Sequence, residues 1–234
     1  ISQNPIELSI SDEYLGIDEA TPDEIRNLIA ALHESFIHLD ADMKTAHAGT
    51  DAQIQAGTTA LALIVTDHFL IFANCGDSRA VLCRDGKFFF GTKDHKPNIQ
   101  SERTRIIQAG GSVSLDNRVN GNLAVSRALG DFGYKNNDSL KAIEQCVSPE
   151  PTITLLARDA LDEFAVLACD GIWDVMNNDQ LTKFIHNRMK VNSNLVEISD
   201  DLIDACLFLN SRDNMSALIV AFPAAPVPDS ESIE

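Results

Sequence analysis

Four aspartates stand where apolar runs end. Asp77 sits in Asn74-Cys75-Gly76-Asp77-Ser78-Arg79, Asp170 and Asp174 in Ala168-Cys169-Asp170-Gly171-Ile172-Trp173-Asp174, and Asp213 in Arg212-Asp213-Asn214-Met215-Ser216. A carboxylate at the mouth of a buried strand has little freedom. Two of them converging in a poorly hydrated setting raise each other's pKa unless a cation lies between. Asp174 follows Asp170 by four positions, so a helical turn after the strand would project both to one side. Gly171 is expected to allow a sharp turn through positive φ. Carboxylates with no Cys partner and no clear His partner select hard ions, Mg²⁺ or Mn²⁺, over Zn²⁺. Taken singly, each motif also has a plainer account: Asp77 bonded to its own backbone in a bulge or turn, Asp170 capping the next turn, Asp174 facing water. Recurrence of the pattern is what favours the metal.

These residues need strands behind them. Phe164 to Cys169, six small or apolar residues, reads as the central strand. Upstream, Thr21-Pro22-Asp23-Glu24 has the form of a helix start, with Thr21 as the cap and Glu24 three residues on. Ile25, Leu28, Ile29, Leu32, Phe36 and Leu39 keep helical spacing to about Met43. Strands are predicted at 60–65, 69–74, 80–84 and 87–90, paired antiparallel through Asp67-His68 and Asp85-Gly86, the second with type I′ chemistry. A short helix over 101–109 closes at Gly110-Gly111. There follow a hairpin over 113–125, a polar loop near 133–144 suited to movement, and a strand at 152–156. Helices over 180–189, capped by Asn178, and over 195–207 precede a last strand at 215–222. Strands and helices in separate blocks indicate α+β: an antiparallel β-sandwich with helices packed outside it. His33, His38, His47 and His95 read as solvated, capping or structural.

The chain of 234 residues carries 18 Lys+Arg against 35 Asp+Glu, a net charge of −17. That balance argues against a nucleic-acid or anionic-membrane surface. No run reaches the ~18 apolar residues of a membrane span. The five cysteines are dispersed and include no C-x-x-C, so they read as reduced core thiols of a cytosolic or nuclear protein.

The motifs around Asp77, Asp170 and Asp213, together with Asp94-His95-Lys96-Pro97, Gly110-Gly111-Ser112-Val113 and the run Arg118 to Asp131, stand in order along the chain. This series resembles the metal-dependent protein phosphatases (PPM family, type 2C), closest to the animal alpha/beta type, over about residues 22–222. The resemblance implies a four-layer αββα sandwich with a Mn²⁺/Mg²⁺ pair. By it Asp170 and Asp213 match metal-binding aspartates, and Asp77 and Asp174 match an additional, weaker metal position. A hydroxide between two cations would attack phosphoserine or phosphothreonine of phosphoproteins. Arg127 and the 133–144 loop match a flap region, so Arg127 is expected to contact substrate.

The family's Arg-x-x-x-Glu-Asp-type and Asp-Gly-His-type segments do not occur in this sequence. The expectation is that an N-terminal part with several strands precedes Ile1, and no catalytic acid histidine is assigned. The chain then divides into a catalytic domain at 1–222 lacking its N-terminal part and an acidic Pro/Ala tail at 223–234. A monomer is expected. Two alternatives stay open: a pseudophosphatase serving as a protein-binding scaffold, and, less well supported, an acidic calcium-binding module.

Overall fold

The computed structural model describes residues 14–18, 20–46 and 56–228, so His47 and the end of the acidic tail lie outside the described residues. The chain divides into two compact units, Ile1–Asp77 with Asp94–Leu156, and Ser78–Lys93 with Ala157–Glu234.

In the first unit α1 (Asp23–Ala46) lays Ile29 and Phe36 on a four-stranded sheet. That sheet has the order β1 (Tyr14–Leu15), β8 (Thr152–Ala157), β4 (Phe69–Cys75), β3 (Ala60–Val65). Ile71, Ala73, Cys75, Ile153 and Leu155 supply its side of the core, each buried apolar chain adding about 1.5–3 kcal/mol for the larger ones. β3 and β4 pair antiparallel, Ala60 opposite Cys75, whereas β1 pairs parallel with β8, a departure from the all-antiparallel expectation. The Thr21 hydroxyl turns back to Asp18, so the expected cap is replaced by a bonded turn ahead of α1. Two-residue strands β2 (Gly57–Thr58) and β7 (Leu129–Gly130) form a separate pair. Helix α2 (Gln100–Gln108) ends as read: Gly110 donates to Ile107 O and Gly111 to Ile106 O, with Gly110 at φ +90. The expected 113–125 hairpin reduces to two isolated bridges, because Asn117 and Asn120 adopt positive φ and break any continuous ladder.

In the second unit the sheet runs β10 (Ala217–Ala221), β9 (Asp162–Ala168), β5 (Arg79–Arg84), β6 (Lys87–Gly91), antiparallel throughout. Asp85 and Gly86 take φ 51 and 69, the type I′ turn expected between β5 and β6. The β5/β9 register slips once: Cys83 faces Phe164 but Arg84 faces Asp162, leaving Glu163 as an extra residue on β9. Helices α4 (Asn178–Met189) and α5 (Leu195–Phe208) pack Leu181, Ile185, Ile198, Leu202 and Cys206 against Val81, Phe164, Val166 and Ile219. The cap of α4 is Asn177, one residue before the expected Asn178, in a reciprocal box with Gln180.

Candidate functional site

β9 and β10 end at the same edge of their sheet, Ala168 opposite Ala217, so the segments bearing Asp170 and Asp213 leave side by side. Asp170 opens the short helix α3 (Asp170–Trp173), and Asp174 N donates to Asp170 O at 2.8 Å, the predicted helical turn. Four contacts tie this turn to the Asp213 loop. Cys169 N donates to Ser216 O (3.2 Å), Ser216 N to Cys169 Sγ (3.2 Å), Cys169 Sγ to Asn214 O (3.3 Å), and Ser211 Oγ to Gly171 O (2.7 Å). Gly171 is helical, not at positive φ as expected. Its glycine is required by space, since a Cβ would stand 2.4 Å from Asn214 O. From below, Trp173 Nε1 donates to Ala168 O, while the Arg79 guanidinium lies 5.0 Å from the Trp173 ring centroid and bonds Asn178 Oδ1. Arg79 was visible only as a member of its motif; nothing in the sequence marked its stacking partner.

Asp170 is half-buried, and Asp174 and Asp213 are exposed. Among the described residues these three carboxylates do not draw within 4.8 Å of one another as a set. Like charges have no reason to converge without a cation between them. The donors on offer are carboxylate oxygens, and the one nearby thiol, Cys169, is occupied by backbone groups. Such a set fits a hard divalent ion.

Asp77 belongs to the other unit, where it is buried and its carboxylate accepts from Lys96 Nζ. The turn is fixed through His95: its N–H donates to Gly76 O, and its Nδ1 accepts from Gly76 N at 3.0 Å. Nε2 therefore carries the proton and donates to Thr152 Oγ1 at 2.9 Å. His95 is structural, as read.

Arg127 is 5% exposed, and its guanidinium lies on Glu102 (Nη2 to Oε1 2.7 Å, Nε to Oε1 3.0 Å) with Nη1 donating to Glu150 O. Glu102 also pairs with Arg105 at 2.9 Å and accepts from Ser126 Oγ. Burial pushes its carboxyl up, but Arg127, Arg105 and Ser126 together hold it down at about 2. This geometry anchors Arg127 on Glu102 and Glu150; the substrate contact that the resemblance implies for it stays a proposal. The 133–144 segment is itself tied down: Lys135 Nζ meets Asp40 Oδ1 at 2.6 Å and Ala128 O at 2.8 Å, and Gln145 bonds Asn137 and Leu140.

The family model described as protein phosphatase 2C matches residues 12–215. The chain belongs to the protein phosphatase 2C family. A protein phosphatase 1B of Rattus norvegicus is 43% identical over 230 residues, 97% of this chain and 59% of that protein. Protein phosphatase 1A of Homo sapiens is 42% identical over 211 residues, 90% of this chain and 55% of that protein. The chain thus spans little more than half the length of these relatives. Among solved structures, a Toxoplasma gondii phosphatase is 37% identical, with TM-score 0.63 over 66% of this chain and 48% of its own. A sex determining protein of C. elegans is 27% identical, with TM-score 0.71 over 80% of this chain and 45% of its own. Membership of the protein phosphatase 2C family accords with the α+β build, its helices and antiparallel sheets in separate blocks.

Proposed function

We propose that the protein carrying this chain is a metal-dependent protein serine/threonine phosphatase acting on phosphoproteins. The observation that carries the reading is that the segments bearing Asp170 and Asp213 adjoin the paired ends of β9 and β10, Ala168 opposite Ala217, inside the span that matches the family. Asp170 and Asp213 would hold Mg²⁺ or Mn²⁺, two ions in all, and Asp174 and Asp77 are each proposed as weaker metal ligands. When bound, such ions supply a hydroxide nucleophile at neutral pH and neutralise the phosphoryl oxygens.

The chain's own residues set the spacing. The Ser211–Gly171 bond and the contact of Gly171 on Asn214 keep the Asp213 loop in step with the Asp170 turn. Asp77 already has its charge matched by Lys96, which supports a weak rather than a tight position there. Residues 1–222 form the catalytic part and 223–234 a tail. The five cysteines are free thiols, which supports a reducing compartment, cytosol or nucleus, and a monomer is proposed. No described helix is long and apolar enough to cross a membrane.

The test is hydrolysis of a phosphothreonine peptide by the natural full-length protein with Mn²⁺ and then with chelator. Phosphate release that chelation stops is the expected result, and Asp170→Asn should abolish it while leaving cooperative unfolding intact. Release that survives chelator refutes the mechanism. No release from well-folded protein refutes the enzyme and points to a scaffold.

A further inference from the structure

Behind the bulge on β9, three side chains of different chemistry meet. Cys83 on β5, Glu163 on β9 and His186 on α4 bring Sγ, a carboxylate oxygen and a ring nitrogen all within 4.8 Å of one another, the sole such set among the described residues. Cys83 Sγ lies 3.3 Å from Glu163 Oε2, and His186 Nδ1 lies 2.7 Å from the same oxygen. The other oxygen, Oε1, accepts from Gly86 N at 2.9 Å, a bond from the I′ turn that orients the carboxylate. Cys83 and Glu163 are buried, and His186 is partly open to solvent. In a regular ladder Glu163 would alternate away from Phe164. As the bulge residue it shares the side on which Cys83 and α4 lie.

We propose that Cys83, Glu163 and His186 form a binding site for a borderline-soft divalent cation, Zn²⁺ by preference, separate in its donors from the aspartate site. A thiolate, an imidazole and a carboxylate together suit zinc, whereas the all-oxygen aspartates suit Mg²⁺ and Mn²⁺. In a tetrahedral zinc centre with bonds of about 2.0–2.3 Å, neighbouring ligand atoms stand roughly 3.4–3.6 Å apart. The 3.3 Å and 2.7 Å separations reach those values by opening a fraction of an ångström. Three protein ligands leave the fourth position for water on the His186 side.

Binding replaces two hydrogen bonds. The Cys83 S–H proton is released to solvent, and the imidazole proton moves from Nδ1 to Nε2 so that Nδ1 can donate its lone pair. Without the ion, burial first and then the Glu163 carboxylate push the Cys83 thiol well up, so in the metal-free cluster Cys83 is a hydrogen-bonded thiol and not a reactive thiolate.

The experiment uses the natural full-length protein, freed of metal and titrated with Co²⁺ and then with Zn²⁺. A thiolate-to-cobalt charge-transfer absorption is expected, bleached by Zn²⁺ at a stoichiometry of one. This readout is independent of phosphatase activity, so it stands or falls separately from that reading. Cys83→Ser should remove the absorption. His186→Gln, at the more open edge of the cluster, should weaken cobalt binding by more than the roughly 10–100-fold seen for outer-shell partners. Cys169→Ser, beside the aspartates, should leave the absorption in place. No charge-transfer absorption in the parent protein overturns the proposal. So does absorption that survives Cys83→Ser or vanishes in Cys169→Ser. If Cys83→Ser does not fold, His186→Gln alone decides: unchanged cobalt affinity there overturns the site.

Discussion

Replacing Arg127 by methionine separates an anchoring residue from one that touches substrate. The substitution keeps much of the aliphatic volume but leaves the Glu102 carboxylate, 2% exposed, without the two N–H groups that Arg127 places on Oε1. Removing one member of a buried pair costs about 3–5 kcal/mol. The carboxyl itself gives a second measure: held at about 2 against an ordinary 4.5, it contributes roughly 3 kcal/mol at neutral pH. Arg105 and Ser126 remain on Glu102 in the variant, so the lower end, about 3 kcal/mol, is expected. With a urea slope of about 2–3 kcal/mol per molar for a chain of this size, the midpoint should fall by roughly 1–1.5 M at pH 7. The acid side carries its own signature. Because the folded value is depressed, the Glu102 contribution is whole above pH 4.5 and is lost as pH falls toward about 2. Arg127→Met should flatten that loss. A Glu102→Gln/Arg127→Met double variant should cost less than the two single changes added together. Urea titrations at several pH values supply the readout, with turnover measured alongside. Arg127→Met unfolding within about 1 kcal/mol of the parent while turnover collapses would refute the anchoring argument and restore the substrate contact.

Gly171→Ala should destabilise by about 1–3 kcal/mol and weaken Mn²⁺ binding, because the added methyl must push Asn214 and with it Asp213 away. Paired urea and calorimetric titrations check this, and an unchanged isotherm counts against the clamp. Lys135→Met strands the buried Asp40 carboxylate, and at about 3 kcal/mol the melting temperature should drop by roughly 6–12 °C. The His33 pKa is raised from 6.5, its hydrogen bond to Glu150 outweighing burial. Its stabilising contribution is therefore complete below pH 6.5 and lost as pH rises through the folded value. An NMR titration of its ring proton should show the raised value and return it toward 6.5 in Glu150→Gln.

Helix α1 and strands β3 to β6 lay open in the sequence because Ile25, Ile29 and Phe36 keep a 3.6 period and the Val/Leu/Phe runs stop at turn residues. Asp85-Gly86 was readable for the same local reason: few residues other than these tolerate two successive positive φ values. What escaped depends on partners distant in sequence. Thr21 looks like a cap until Asp18 takes its hydroxyl, and Asn178 until the neighbouring Asn177 meets Gln180. Gly171 carries no mark of Asn214, 43 positions away, so its sequence context suggests backbone freedom where crowding is what requires the glycine. Arg127 has a motif's visibility, but its direction is set by Glu102 on another element. Cys83 counted as one more core thiol because neither Glu163 nor His186 is near it in the chain.

The extra residue on β9 has a further consequence for how this sheet tolerates changes in chain length. Pairings from Arg79 with Ala168 to Cys83 with Phe164 all lie on one side of the bulge. Loss of Glu163 would close the ladder onto Arg84 without shifting the phase of any of them. An indel at this point is absorbed where it occurs, whereas one placed two or three residues later would swap Val166 and Ala168 with the opposite face. Position 163 therefore acts as an expansion joint: the strand can drop a residue there and forfeit the Cys83–His186 cluster, while the end that carries Asp170 stays where it was.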